Sequence, residues 1–183
     1  MPSLQPPALD RDFSAPPFHL LGTDGKHHSL EDVRGEDGLL VMFICNHCPF
    51  VKAIRDRVVR DTRELLAHGI GSVAIMSNDV ADYPEDSFAN MQRVAKEFGF
   101  LFPYLYDETQ QVARAYGAVC TPDFFGFNRH LKLRYRGRLD ASGRSPAPAA
   151  RRELFEAMVQ IAHSGEGPQE QTASIGCSIK WRA

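Results

Sequence analysis

Leu39 to Ile44 and Val73 to Met76 are the longest apolar runs of the chain; the first, without polar alternation, suits a strand covered on both faces, and Ile70 to Ser77 is a second buried strand candidate. Between them Val51, Ile54, Val58 and Leu65 recur at helical spacing, while Lys52/Asp56, Arg57/Asp61 and Arg60/Glu64 are opposite charges four apart. This predicts a helix reaching His68, apolar on one face and salted on the other. Asp82 to Glu85 offers a cap and a first-turn proline before Phe88, Met91, Val94 and Phe98, with Gly99 as the stop. Tyr104 to Tyr106 predicts a third strand, and Asp107 a cap for a helix running through Tyr116 to Gly117. Phe124 to Phe127, Asn128-Arg129 and Leu131 to Tyr135 then form a hairpin pattern. Upstream, Phe18 to Leu21 followed by Thr23-Asp24-Gly25-Lys26 predicts a strand entering a hairpin turn. A Ser/Pro/Ala-rich loop, 141–150, precedes a last helix from Arg151 to His163.

Alternating strands and helices require right-handed crossovers between parallel strands, and the terminal hairpin adds antiparallel ones. The fold class expected is α/β, a central mixed β-sheet flanked by helices with an N-terminal β-hairpin extension. At 183 residues the chain is expected to be one domain. Residues 1–16 form a lead and 164–183 a tail, which Ile175, Ile179 and Trp181 are expected to dock, with Gly176 allowing close backbone approach. The carboxyl end of the first buried strand, where open α/β sheets place their sites, falls at Cys45.

Charge narrows the partners. Lys and Arg number 21 against 23 Asp and Glu, a formal charge of −2, so no general attraction to nucleic acid or anionic lipid is expected. No apolar run approaches the roughly 20 residues needed to cross a bilayer. The Pro-rich amino terminus has no early basic cluster and no apolar stretch of signal-peptide length, so a cytoplasmic location is expected.

Chemistry concentrates in Cys45-Asn46-His47-Cys48-Pro49. Two thiols with a two-residue spacer between a buried strand and an amphipathic helix suit a redox-active dithiol. Cys45, at the strand end and facing the unpaired amides of the helix start, is expected to be the exposed thiolate, with Cys48 beneath it. Asn46 and His47 are expected to tune the pair, a protonated His47 by favouring the Cys45 thiolate and making the pair moderately more oxidising. Structural zinc is disfavoured, because Cys120 and Cys177 are far apart in sequence and supply no second pair. Copper, with Cys45, His47 and Cys48 as soft donors, is the rival metal reading. No cofactor beyond the redox-active disulfide is expected, and His27-His28 are expected to carry no function.

Pro17-Phe18-x-Leu20, Asp24-Gly25, Cys45-Asn46-His47-Cys48-Pro49, Phe102-Pro103-Tyr104-Leu105, Thr121-Pro122 and Ser174-Ile175-Gly176-Cys177-x-Ile179-Lys180-Trp181 together resemble the thioredoxin-fold branch called peroxiredoxin-like, of the alkyl hydroperoxide reductase/thiol-specific antioxidant type. The resemblance covers nearly the whole chain. It implies a thioredoxin-like domain, Cys45 as nucleophile, Cys48 as its resolver, a cis Pro122 facing the pair, and Thr121 offering its backbone to an extended substrate. Two departures qualify it. No cysteine stands in the Pro-x-x-x-Thr-x-x-Cys setting of peroxidatic cysteines, and the strand before Cys45 lacks the buried carboxylate that thioredoxins keep beneath theirs.

The function expected is that of a thiol:disulfide oxidoreductase using the Cys45/Cys48 pair, with a disulfide-containing protein or small thiol as substrate and a thioredoxin or glutathione system as reductant. The alternatives are a peroxiredoxin-like thiol peroxidase and a copper-binding or chaperone-like module without catalysis. Cys120 and Cys177 are candidate auxiliary thiols, against the plainer reading of each as a small buried apolar side chain.

Overall fold

The computed structural model describes residues 3–145 and 147–183; the first two residues of the expected lead and Pro146 of the expected loop lie outside it. In chain order the elements are β1 (Ser3–Leu4), β2 (His19–Gly22), β3 (His27–Ser29), α1 (Leu30–Val33), β4 (Gly38–Phe43), α2 (Pro49–Lys52), α3 (Arg55–Leu66) and β5 (Ile70–Met76). They continue with a 3-10 turn at Pro84–Asp86, α4 (Phe88–Glu97), β6 (Tyr104–Tyr106), α5 (Gln111–Tyr116), β7 (Cys120–Thr121), β8 (Asp123–Asn128), β9 (Leu133–Tyr135), α6 (Glu153–Ser164) and β10 (Gly176–Ser178).

Seven strands make one mixed sheet in the order β3-β2-β6-β5-β4-β8-β9. The β6-β5-β4 centre is parallel; β8 and β9 extend it antiparallel on one side, and the β2–β3 hairpin does so on the other. Strand alternation then divides the core. Leu40, Met42 and Ile44 face a layer containing Val58, Leu65, Met91, Met158 and Ile161 from α3, α4 and α6. Leu39, Val41 and Phe43 face Leu30, Val33, Ala113 and Tyr116 from α1 and α5. The expected mixed sheet, its flanking helices and the N-terminal hairpin are all present.

Four local expectations are corrected. The helix after the cysteines is interrupted between Lys52 and Arg55, so α2 and α3 are separate. Its salted face is not solvated: Arg57 and Asp61 are 3% and 1% exposed, because the segment leading into α6 covers them. There Arg57 Nε donates to Asp140 at 2.8 Å and Arg152 Nη2 to Asp61 at 2.7 Å. Helix α4 is capped by Ser87, whose Oγ accepts from Asn90 N, since Pro84 starts a 3-10 turn of its own instead of the helix. Asp107 caps α5 from a distance, its carboxylate accepting from Val112 N and Ala113 N while Gln110 occupies the left-handed region at φ 66°.

β10 lies outside the large sheet and forms a small antiparallel one in the order β1-β10-β7. Cys177 is opposite Thr121 and Ser178 opposite Cys120. Gly176 makes this possible, because a Cβ there would stand 2.1 Å from the Thr121 carbonyl oxygen. Beyond β10 the tail is tied down by Ile179 N to Val119 O (3.2 Å), Asp79 N to Lys180 O (2.8 Å) and Arg182 N to Gln110 Oε1 (3.0 Å).

Candidate active site

The parallel strands β4 and β5 end at the same side of the sheet, and the loops leaving them meet there. The loop after β4 carries Cys45-Asn46-His47-Cys48, that after β5 carries Asn78 and the turn bearing Asp86, and Thr121-Pro122 arrives from β7. The Thr121–Pro122 peptide is cis. Cys48 is the N-cap residue of α2, with Pro49 in the first turn, where a missing N–H is no loss.

Cys45 Sγ lies 3.4 Å from Thr121 Oγ1, and Cys48 Sγ donates to the Thr121 carbonyl at 3.2 Å. Both thiols are buried, Cys45 at 2% and Cys48 at 0% exposure. The expected exposure of Cys45 is therefore not observed: Thr121 lies against its sulfur at the strand end. The expected thiolate also shifts position. Burial pushes the Cys45 thiol well above its ordinary range, reinforced by the neighbouring Cys48 and the charge of Asp86. Cys48 moves down, because Cys45 S–H, then Cys177 S–H and the amides of Val51 and Cys177, point at its sulfur. The two shifts run in opposite directions, so Cys48 is the thiol that ionises first and Cys45 the one that keeps its proton.

Asp86 is fully buried and anchors the rest of the site. Its carboxylate accepts from Asn46 N at 2.8 Å, Asn78 Nδ2 at 2.9 Å and His47 Nδ1 at 2.6 Å. Asn46 in turn donates through Nδ2 to Glu85 O (3.1 Å) and accepts from Tyr104 OH (2.8 Å), while the His47 ring stacks on Tyr83 at 5.5 Å. Asn78 Oδ1 accepts from Lys180 N at 2.9 Å, so one side chain joins this carboxylate to the tail. The expectation that His47 favours a Cys45 thiolate is corrected accordingly: the imidazolium faces Asp86, whose own charge raises Cys45.

Asp86 was not singled out by the sequence, where it sits in a Pro-containing turn with no periodicity. Its signal is topological: it follows the parallel neighbour of the strand that bears Cys45. A buried carboxylate is thus present near the cysteines, supplied by the β5–α4 connection instead of the strand beneath them.

The hydrogen bond to Asp86 raises the His47 pKa against the opposing effect of burial. Burial works against the Asp86 carboxylate, yet the bonds from His47 and Asn78 outweigh it and lower its pKa. A raised histidine contributes stability that is complete below the ordinary value of about 6.5 and lost as pH climbs through the folded value. The melting-temperature difference between wild type and His47→Gln should therefore be flat between about pH 5 and 6, shrink as pH rises past about 6.5, and shrink again as pH falls through the range in which Asp86 protonates. A difference that stays constant up to pH 9 would show that the pair is not charged.

Cys45, His47 and Asp86 offer donor atoms within 4.8 Å of one another. All three hydrogen bonds on the carboxylate are nonetheless protein bonds of normal length, which suits an ion pair better than an open ligand set. Cys120, by strand alternation, points to the opposite face from Thr121 and donates to Pro122 O at 3.5 Å. Burial is the main cause raising its pKa. Cys177 lies on the Thr121 face, and its thiol is pushed up to about 12 by burial and by the adjacent Cys48. The backbone edge that Thr121 was expected to offer an extended substrate is occupied by β10, because the chain's own tail pairs there first.

A family model described as AhpC/TSA family matches residues 12–136. A solved structure from Geobacillus kaustophilus, described as an uncharacterized conserved protein, is 47% identical with a TM-score of 0.93, covering 100% of this chain and 97% of that one. The thiol-disulfide oxidoreductase ResA of Geobacillus thermodenitrificans is 27% identical over 128 residues, which span 66% of this chain and 65% of the relative's length. A thioredoxin family protein from Chlorobium tepidum, described as a thiol:disulfide interchange protein, is 21% identical with a TM-score of 0.61, covering 85% of this chain and 99% of that one. That last likeness concerns the fold, which is thioredoxin-like.

Proposed function

The chain belongs to the AhpC/TSA family, and from that membership together with the paired thiols we propose that it is a thiol:disulfide oxidoreductase using Cys45 and Cys48. The observation that carries this reading is the placing of both sulfurs against one residue, Cys45 Sγ 3.4 Å from the Thr121 hydroxyl and Cys48 Sγ 3.2 Å from the Thr121 carbonyl oxygen, next to the cis Pro122. Disulfide exchange needs a thiolate and a second thiol within reach to release the mixed disulfide. Cys45 is the attacking sulfur. Cys48 lies beneath the Thr121 carbonyl and the tail strand, so a substrate approaching the strand end meets Cys45 first, and Cys48 takes the proton as it attacks. Cys45 then carries half of the substrate in a mixed disulfide, and Cys48 displaces that half. The similarity to a protein named thiol-disulfide oxidoreductase supports this assignment. The substrate is a disulfide in a protein or small molecule, and a thioredoxin or glutathione system restores the dithiol.

Mixed-disulfide trapping tests the roles. Cys48→Ser should accumulate a covalent adduct through Cys45 with a disulfide-bonded protein such as insulin, whereas an adduct formed only by Cys45→Ser, through Cys48, would reverse them. The family also contains peroxidases, so stopped-flow mixing of the reduced protein with hydrogen peroxide is the matching control. Because neither cysteine stands in a Pro-x-x-x-Thr-x-x-Cys sequence, oxidation should be far slower than exchange with the protein disulfide. Oxidation faster than that exchange would favour the peroxidase reading.

A further inference from the structure

The tail brings a third sulfur to this pair. Residues directly opposite in an antiparallel pair project to the same face with Cα atoms roughly 4.5 to 5.5 Å apart. Cys177 is opposite Thr121, whose hydroxyl touches Cys45 Sγ and whose carbonyl takes the Cys48 S–H. Cys45, Cys48 and Cys177 all belong to one buried cluster. Two independent features hold Cys177 there. Gly176 permits a backbone approach that a Cβ would block at 2.1 Å, and the following residues are fixed by Asn78, Asp79 and Gln110. Cys120, by contrast, is turned to the other face.

We propose that Cys177 is a third redox thiol, to which the disulfide passes from Cys45–Cys48 as a Cys48–Cys177 bridge. This rests on the preceding reading, which supplies the Cys45–Cys48 disulfide. The step is an isomerisation. Cys177, as thiolate, attacks Cys48 Sγ; the Cys48–Cys177 bond forms as the Cys45–Cys48 bond breaks, and the electron pair leaves on Cys45 Sγ, which receives the proton that Cys177 gave up. The protein stays oxidised by two electrons throughout, and no further oxidant enters. Removing the Cys48 negative charge by disulfide formation takes away one of the causes that hold the Cys177 proton in place. The result is an oxidised molecule in which Cys45 is again a free thiol and the tail is covalently pinned to α2.

Graded oxidation of the reduced full-length chain with oxidised glutathione, followed by acid quench, alkylation and peptide mapping, tests the transfer. Wild type should show Cys45–Cys48 first and Cys48–Cys177 later, with Cys120 alkylated throughout. Cys45→Ser should form Cys48–Cys177 with no earlier bridge but far more slowly, because the attacking sulfur is gone, and Cys177→Ser should stop at Cys45–Cys48. Gly176→Val, which keeps every thiol but displaces the strand, should lose the Cys48–Cys177 bridge. If Cys177 stays alkylated at every stage in both wild type and Cys45→Ser while Cys45–Cys48 forms normally, the proposal is overturned and the preceding reading stands. If Cys177→Ser forms no Cys45–Cys48 bridge, the preceding reading fails and takes the proposal with it.

Discussion

Cys45→Ser should reduce multiple-turnover disulfide reduction by about a thousandfold or more, equivalent to about 4 kcal/mol of barrier. A hydroxyl in this setting does not ionise, so both the nucleophile and the proton exchange with Cys48 are lost together. The substitution is nearly isosteric, and Thr121 Oγ1 at 3.4 Å offers the new hydroxyl a hydrogen-bond partner. Folding should therefore survive, with a melting temperature within a few degrees of wild type. Activity retained at a tenth or more would place the chemistry elsewhere, and Cys120→Ser, on the opposite face, is the matching control expected to leave turnover intact.

The largest loss of stability is expected at Arg136. Its guanidinium lies over the Phe125 ring at 4.3 Å and donates through Nη2 to Asp123 at 3.0 Å and to Gly117 O at 2.9 Å. Asp123 is fully buried next to Pro122, and burial raises its pKa against the pull of Arg136. Arg136→Met keeps most of the packing and leaves a buried carboxylate unpaired, which typically costs about 3 to 5 kcal/mol out of a total of about 5 to 15. The sign of the pH dependence follows. With Arg136 gone the folded pKa of Asp123 rises further above its unfolded value, so the variant is most stable where the carboxyl is protonated and loses stability as pH rises through the carboxylate range. Denaturant titrations at two pH values read this, and Asp123→Asn combined with Arg136→Met should recover part of the loss. A single variant within 1 kcal/mol of wild type at pH 7 would show that the pair is dispensable.

Continuous apolar runs gave β4 and β5 directly, because a strand buried on both faces has no polar alternation to hide. The hairpin of β2 and β3 and the Gly117 helix stop followed equally from local turn chemistry. Charges on α3 misled for a reason that spacing cannot contain: Arg57 and Asp61 fit a solvated helix face, but their partners Asp140 and Arg152 come from more than 80 residues away. The site divides in the same manner. Its cysteines were legible because their chemistry is contiguous in sequence, whereas Asp86 and Asn78 acquire meaning only when β4 and β5 are side by side. Thr121 lies beside the pair, but its backbone partner is 56 residues further along the chain.

The pairing of β10 with β7 also bears on which molecules the protein can serve. A tethered segment competes with any free peptide at an effective concentration that, for short links, is of order millimolar. An extended client seeking the Thr121 edge must first displace a strand that is always present, so clients that depend on strand addition are handicapped by the chain itself. Molecules that reach Cys45 without needing that edge, such as small disulfides or bridges on a folded surface, escape the competition. The reactivity profile should consequently favour compact disulfides over unfolded chains, a selectivity set by β10 and not by the cysteine motif.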